Sequence, residues 1–156
     1  MAIDAAAGLT GGCQCGAVRY RLIVEPTGVN ICHCRMCQKA SGGPLMAFGG
    51  VRLDQLVWTR GAPKIFASSA IGERGFCAQC GTPLTYRMHE LEADRISVTL
   101  GSLDQPAAVA PTIQFGVESK VPWLDGALAL PAQKTADWLK LSEAAVGNRQ
   151  HPDRET

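Results

Sequence analysis

This 156-residue sequence contains no apolar run long enough to cross a membrane. It has no long cluster of Lys and Arg, and its formal net charge is only +1, so broad electrostatic capture of nucleic acid is not expected. A basic stretch followed by an apolar stretch, the mark of a secretory leader, is missing from Met1–Gly8. There is no repeat at a fixed period and no linker that would divide the chain. A chain of this length forms one domain with a real core. These absences describe a soluble, cytoplasmic chain with no membrane partner.

One further absence carries more information: no cysteine stands alone. The seven are grouped as Cys13 and Cys15, then Cys32, Cys34 and Cys37, then Cys77 and Cys80. Disulfides are a poor account of this pattern. Seven is odd, and cysteines two residues apart rarely reach the geometry a disulfide needs without strain. In a reducing compartment such clusters more often bind metal or act in catalysis. Four plus three is a meaningful sum for zinc. A closed structural site takes four protein ligands, whereas a reactive site takes three and leaves one position open.

Gly11-Gly-Cys-Gln-Cys-Gly16 and Phe76-Cys-Ala-Gln-Cys-Gly-Thr-Pro83 are two half-sites of zinc-ribbon type. Glycines beside the ligands let the backbone turn tightly around an ion. Paired, Cys13, Cys15, Cys77 and Cys80 make a closed tetrathiolate site that pins the N-terminal strand to the middle of a sheet. Cys32, Cys34 and Cys37 lie within six residues and can wrap one face of a second, more labile zinc ion. An open fourth position there would act as a Lewis acid on an incoming thiol. Two other readings of the trio stay open. His33 or a distant residue could close the site, although the position of His33 between Cys32 and Cys34 points its ring away from their metal. The three thiols could also remain metal-free as a thiol-exchange patch.

The rest of the chain reads as short strands between turns. Ala17–Val24 alternates, with Val18, Tyr20, Leu22 and Val24 on one face and Arg19 and Arg21 on the other. Further strands are expected over Leu45–Phe48, Gln55–Thr59, Lys64–Ala67, Thr82–Arg87, Arg95–Leu100 and Thr112–Val117. The C-x-C-x-x-C run reads as a loop closed by Ser41–Pro44. The one helix expected is C-terminal, over Thr135–Val146. Residues 1–8 read as a flexible leader, 9–131 as a zinc-binding β domain, and 132–156 as that helix with a frayed polar tail. Trp58, Trp123 and Trp138 read as core or partly buried packing residues.

Taken together, Gly-Gly-Cys-x-Cys-Gly-x-Val-Arg-Tyr, Cys-His-Cys-x-x-Cys-x-Lys-x-x-Gly and Phe-Cys-x-x-Cys-Gly-x-x-Leu resemble the glutathione-dependent formaldehyde-activating enzyme family, which includes the centromere protein V-like proteins. Glu118-Ser-Lys-Val-Pro-Trp123 is similar to that family's C-terminal Ser-Lys-x-Pro-Trp segment. The chain departs from the pattern at Gln114-Phe115, where relatives often carry His-Ile. The resemblance implies a mostly β, Mss4-like fold of antiparallel sheets with a zinc-ribbon element. It implies structural zinc on Cys13, Cys15, Cys77 and Cys80, and catalytic zinc on Cys32, Cys34 and Cys37. It also implies a carbon–sulfur lyase that adds glutathione to formaldehyde, giving S-hydroxymethylglutathione. Glutathione carries two carboxylates, for which Arg35, Lys39 and Lys120 are the candidate cations. The competing reading is a non-catalytic zinc module that contacts a protein or chromatin partner. A third, nucleic-acid binding by the ribbon, is opposed by the near-neutral charge.

Overall fold

Short segments rich in branched and aromatic side chains form ten strands in this computed structural model, which describes residues 8–139 and 143–156. In chain order they are β1 (Leu9–Gly12), β2 (Arg19–Leu22), β3 (Thr27–Cys32), β4 (Met46–Arg52), β5 (Leu56–Arg60), β6 (Lys64–Ala67), β7 (Gly72–Phe76), β8 (Pro83–Met88), β9 (Arg95–Thr99) and β10 (Ile113–Phe115). A three-stranded sheet has the order β1-β2-β5. A seven-stranded sheet has the order β10-β3-β4-β9-β8-β7-β6. Every pairing is antiparallel except that of β10, which runs parallel to β3.

The core lies between the two sheets. Tyr20, Leu22 and Leu56 from the small sheet meet Val51, Leu84 and Val98 from the large one. Tyr20 also packs edge-on against Trp58, with 5.8 Å between ring centres, and shares a 2.7 Å hydrogen bond with Ser102 Oγ. Successive strand residues point to opposite faces. While Val51 and Val98 enter the core, Phe48, Gly50 and Ser97 face the other side, in register with Asn30, Thr27 and Tyr86. That second face carries the site.

Several elements depart from the sequence-based expectation. The C-x-C-x-x-C run is not a loop: Cys32 ends β3, and Arg35–Ser41 is a helix, α1. Its residues are mostly good helix formers. Cys34 caps its start, accepting from the Cys37 N–H, and Gly42 ends it at φ 68°, a left-handed stop. Arg19 does not face solvent, because its guanidinium is buried in a two-pronged bond to Asp104, at 2.9 and 2.5 Å.

The C-terminal region differs as well. Thr135–Leu139 and Glu143–Val146 form α2 and α3, and residues 140–142 of the expected helix lie outside the described residues. Of the leader read over 1–8, all but Gly8 also lies outside them. Trp123 and Trp138 are exposed, at 62% and 69%, rather than packed. The polar tail is docked, not frayed. His151 N–H donates to the Gln14 carbonyl at 2.7 Å, Arg19 and Arg60 donate to the carbonyls of Arg154 and Thr156, and Arg21 pairs with Glu155. Three arginines on β2 and β5 supply the donors that hold it.

Candidate metal centres and the groove beside them

Two hairpins bring the first sulfur cluster together. The turn between β1 and β2 carries Cys13 and Cys15, and the turn between β7 and β8 carries Cys77 and Cys80. Both turns close on a glycine N–H that donates back to the first cysteine. Gly16 N–H donates to the Cys13 carbonyl at 3.0 Å, and Gly81 N–H donates to the Cys77 carbonyl at 2.9 Å. Gly16 at φ 75° and Gly81 at φ 77° adopt backbone that glycine permits without strain.

The four ligand atoms all lie within 4.8 Å of one another. Cys13 and Cys15 sulfurs are 3.5 Å apart, and those of Cys15 and Cys77 are 3.8 Å apart. Four thiolates around a zinc ion at ~2.3 Å would be separated by about 3.8 Å, so the donor set fits that metal. All seven cysteines are free thiols, which removes the disulfide reading. Val18 N–H donates to the Cys13 sulfur at 3.2 Å and Gln79 N–H to the Cys77 sulfur at 3.4 Å, which orients both side chains. At Cys80, burial pushes the thiol up, but the Thr82 side-chain and backbone hydrogen bonds outweigh it and bring the thiol down to about 6.

The second cluster forms where β3 runs into α1. Cys32, Cys34 and Cys37 also place their sulfurs within 4.8 Å of one another, and among the described residues no fourth His, Cys, Asp or Glu joins them. His33 is turned away, as its place between the ligands implies. Its ring is buried and its Nε2 is paired with Gln114 Oε1 at 2.9 Å. Gln38, also buried, locks α1 to the segment after β10. Its Nε2 donates to the carbonyls of His33 at 2.6 Å and Ser119 at 2.9 Å. Gly116 allows that segment to close on the cluster, since a Cβ there would stand 2.7 Å from the Cys34 nitrogen.

Arg74 of β7 reaches the trio from the far side of the sheet. Its guanidinium donates to the Cys37 sulfur at 3.4 Å and to Ser68 Oγ at 3.0 Å, and lies 4.8 Å from the centre of the Tyr86 ring. Burial pushes the Cys37 thiol up to about 12 despite the opposing Arg74 contact. At Cys34 burial also raises the thiol, but hydrogen bonds from the Cys37 and Met36 backbone and its sulfur neighbours bring it below the ordinary value.

The trio opens on a groove of about 400 Å³. Phe48, Tyr86 and Phe115 give it apolar walls, and Arg74, Glu92 and Arg95 are its charged groups. None of the three cations singled out from the sequence lines it. Arg35 is bonded to Gln38 and Lys120 to Asp125, while Lys39 opens on a neighbouring cavity of about 350 Å³ that shares Met36 and Arg74 with the groove. Arg74 and Arg95 escaped the sequence reading because strand pairing, not proximity along the chain, brings them here.

The comparisons with known proteins agree with this architecture. Residues 8–119 match the family model described as glutathione-dependent formaldehyde-activating enzyme. A Halomonas elongata protein named as a putative glutathione-dependent formaldehyde-activating enzyme is 31% identical over 134 residues, covering 75% of this chain and 80% of that protein. An uncharacterised lyase of Schizosaccharomyces pombe is 34% identical over 76 residues, 49% of this chain and 55% of that protein, so the chain spans little more than half of this relative. The crystal structure of a Rhodobacter sphaeroides protein shares the fold, with a TM-score of 0.54 at 20% identity, covering 67% of this chain and 98% of that one. With its family model matched over most of its length, this chain belongs to the glutathione-dependent formaldehyde-activating enzyme family.

Proposed function

We propose that this protein is a zinc-dependent carbon–sulfur lyase that takes glutathione, or a similar thiol, and its formaldehyde adduct. The observation that carries this reading is the sulfur trio, joined by no fourth His, Cys, Asp or Glu among the described residues and set in the wall of a groove that can admit a guest. Cys13, Cys15, Cys77 and Cys80 would hold a structural zinc, and Cys32, Cys34 and Cys37 a second one. Zinc in the second position supplies Lewis acidity that keeps an incoming thiol as thiolate, its nucleophilic form, near neutral pH.

The chain's own residues do the rest. In the forward direction the guest sulfur forms a bond to the aldehyde carbon, its S–H bond is broken, and the carbonyl electron pair takes up a proton as the new hydroxyl. Phe48 and Tyr86 wall off water from the reacting atoms, which strengthens every charge interaction there. Arg74 sets one positive charge against the accumulated negative charge of the thiolates. Gln38 and Gly116 fix α1, so that Cys34 and Cys37 keep their place relative to Cys32. The half-buried and exposed thiols are best preserved in a reducing compartment, and we place the protein in the cytoplasm on that ground.

The test is the rate at which formaldehyde, glutathione and their adduct interconvert, read by exchange NMR with and without zinc-loaded protein. Acceleration that disappears in a folded Cys34→Ala variant supports the enzyme reading. An unchanged rate with wild-type protein refutes the activity, and a Cys34→Ala variant that merely unfolds favours the zinc-module reading.

A further inference from the structure

We propose that Arg95 and Glu92, at the end of the groove remote from the sulfur trio, receive an α-amino-acid head group of the guest, its carboxylate on Arg95 and its ammonium on Glu92. This deepens the thiol-binding reading above, which concerns the other end of the same guest.

Both residues line the cavity that Cys32, Cys34 and Cys37 line. Glu92 precedes β9 and Arg95 begins it, and the Arg95 N–H donates to the Glu92 carbonyl at 3.0 Å. Their side chains therefore stand at one rim with opposite charge, and among the described residues neither side chain is in an ion pair. The Arg95 guanidinium donates to Thr27 Oγ1 at 2.8 Å, which fixes its direction and leaves most of its five donors unused. Gly50 provides the floor: a Cβ at that position would stand 2.8 Å from Arg95 Nη2. A planar cation with spare donors beside a separate carboxylate complements a zwitterionic head group. A plain anion site would not place Glu92 at the same rim.

The register gives the length of the guest. Thr27 pairs with Gly50 and Cys32 with Met46, so the two ends of the groove are four register steps apart along β4. At ~3.4 Å per residue that is about 14 Å. The Arg95 and cysteine side chains reach into this span from both ends. A γ-glutamyl-cysteinyl unit, whose sulfur and amino-acid head lie about seven bonds apart, bridges what is left, whereas in a lone amino-acid thiol they are only about two bonds apart. The third charged group of the groove, Arg74, stands at the sulfur end and takes no part in reading the head group.

Calorimetry on the zinc-loaded full-length chain tests this with S-methylglutathione, which keeps both ends of the tripeptide but has no free thiol. Wild-type protein is expected to bind it, and Arg95→Gln to bind it at least tenfold more weakly. Glu92→Gln is expected to weaken S-methylglutathione yet leave unchanged the binding of its deamino analogue, in which a glutaryl group replaces the γ-glutamyl group. Melting curves check folding, and if Arg95→Gln is unfolded, Arg95→Lys decides. That variant keeps the charge but loses the fork and is expected to bind several-fold more weakly. No binding to wild-type protein, or wild-type affinity in the folded Arg95 and Glu92 variants, overturns the assignment. The underlying thiol reading fails separately. If glutathione and S-methylglutathione bind wild-type protein equally, the sulfur end is wrong and the head-group assignment stands.

Discussion

The Arg74 guanidinium donates to the Cys37 sulfur at 3.4 Å, and both side chains are buried. No carboxylate among the described residues pairs with Arg74. A buried cation without an acid partner is costly unless another anion faces it. Cys37, once held as thiolate on a metal ion, would be that anion, and the Tyr86 ring supplies a second favourable contact.

Replacing Arg74 with Met keeps most of the volume and removes the charge. The trio then gathers negative charge with nothing to offset it, and its affinity for zinc is expected to fall by about 10–100-fold. Competition with a chromophoric chelator measures this. The four-sulfur cluster is the internal control and should keep its ion.

Asp104 gives a pH-dependent prediction. Burial pushes its carboxyl up, but the hydrogen bonds from Arg19 and Thr10 outweigh that and hold it below the usual carboxylate range. A carboxyl depressed in the folded state adds stability that is complete above its unfolded value of ~3.9 and is lost as the pH falls through the folded value. Asp104→Asn strands the Arg19 charge, and the expected loss near neutral pH is about 3–5 kcal/mol. Urea denaturation of wild type and variant should show a constant gap above about pH 5 that narrows below about pH 4.

The fold was partly legible in the sequence, and the particular residues say why. The trio and the two halves of the quartet are short-range patterns legible from spacing, whereas the fold joins Cys15 to Cys77 across 62 residues. Gly16 and Gly81 each close a turn, and each is visible next to its second cysteine. Alternation places Arg19 on the face opposite Tyr20 and Leu22, but it describes a strand in isolation and says nothing of what covers that face. Asp104, 85 residues further on, turns that position into a buried one. β1 has the sequence Leu-Thr-Gly-Gly and β7 Gly-Glu-Arg-Gly-Phe, neither of which alternates, so neither strand announced itself. The groove's Arg74, Tyr86 and Arg95 are assembled by strand register, which a single sequence does not encode locally.

Gly116 is the next point of leverage. Its φ of 62° lies in the left-handed region, which costs an alanine roughly 1–2 kcal/mol. The added Cβ would also meet the Cys34 backbone, which cannot yield as a flexible side chain does. Gly116→Ala is expected to displace Cys34 and, on the proposed two-site reading, to lower the metal content of the loaded protein from two ions per chain towards one. Elemental analysis paired with a free-thiol titration reads both effects on one sample.

The docked tail is testable by truncation after Asn148. His151 N–H then no longer bonds the Gln14 carbonyl, and Gly16 loses the imidazole that covers it. One backbone hydrogen bond is worth ~1 kcal/mol net, roughly fivefold in an opening equilibrium. Amide hydrogen exchange in the turn containing Cys13 and Cys15 is expected to quicken by about that factor. Exchange in β9 should not change.

The bracket from Gln38 to Ser119 also sets an order of birth. All seven sulfurs have been made once Cys80 is added, and the quartet then has every ligand it needs. The trio has its ligands too, but β10 and the Ser119 carbonyl that hold α1 in place have not yet been synthesised. On a growing polypeptide the quartet can therefore set first and the trio last. A ribosome stalled between the two events carries a nascent chain with a finished clasp and an unfinished pocket.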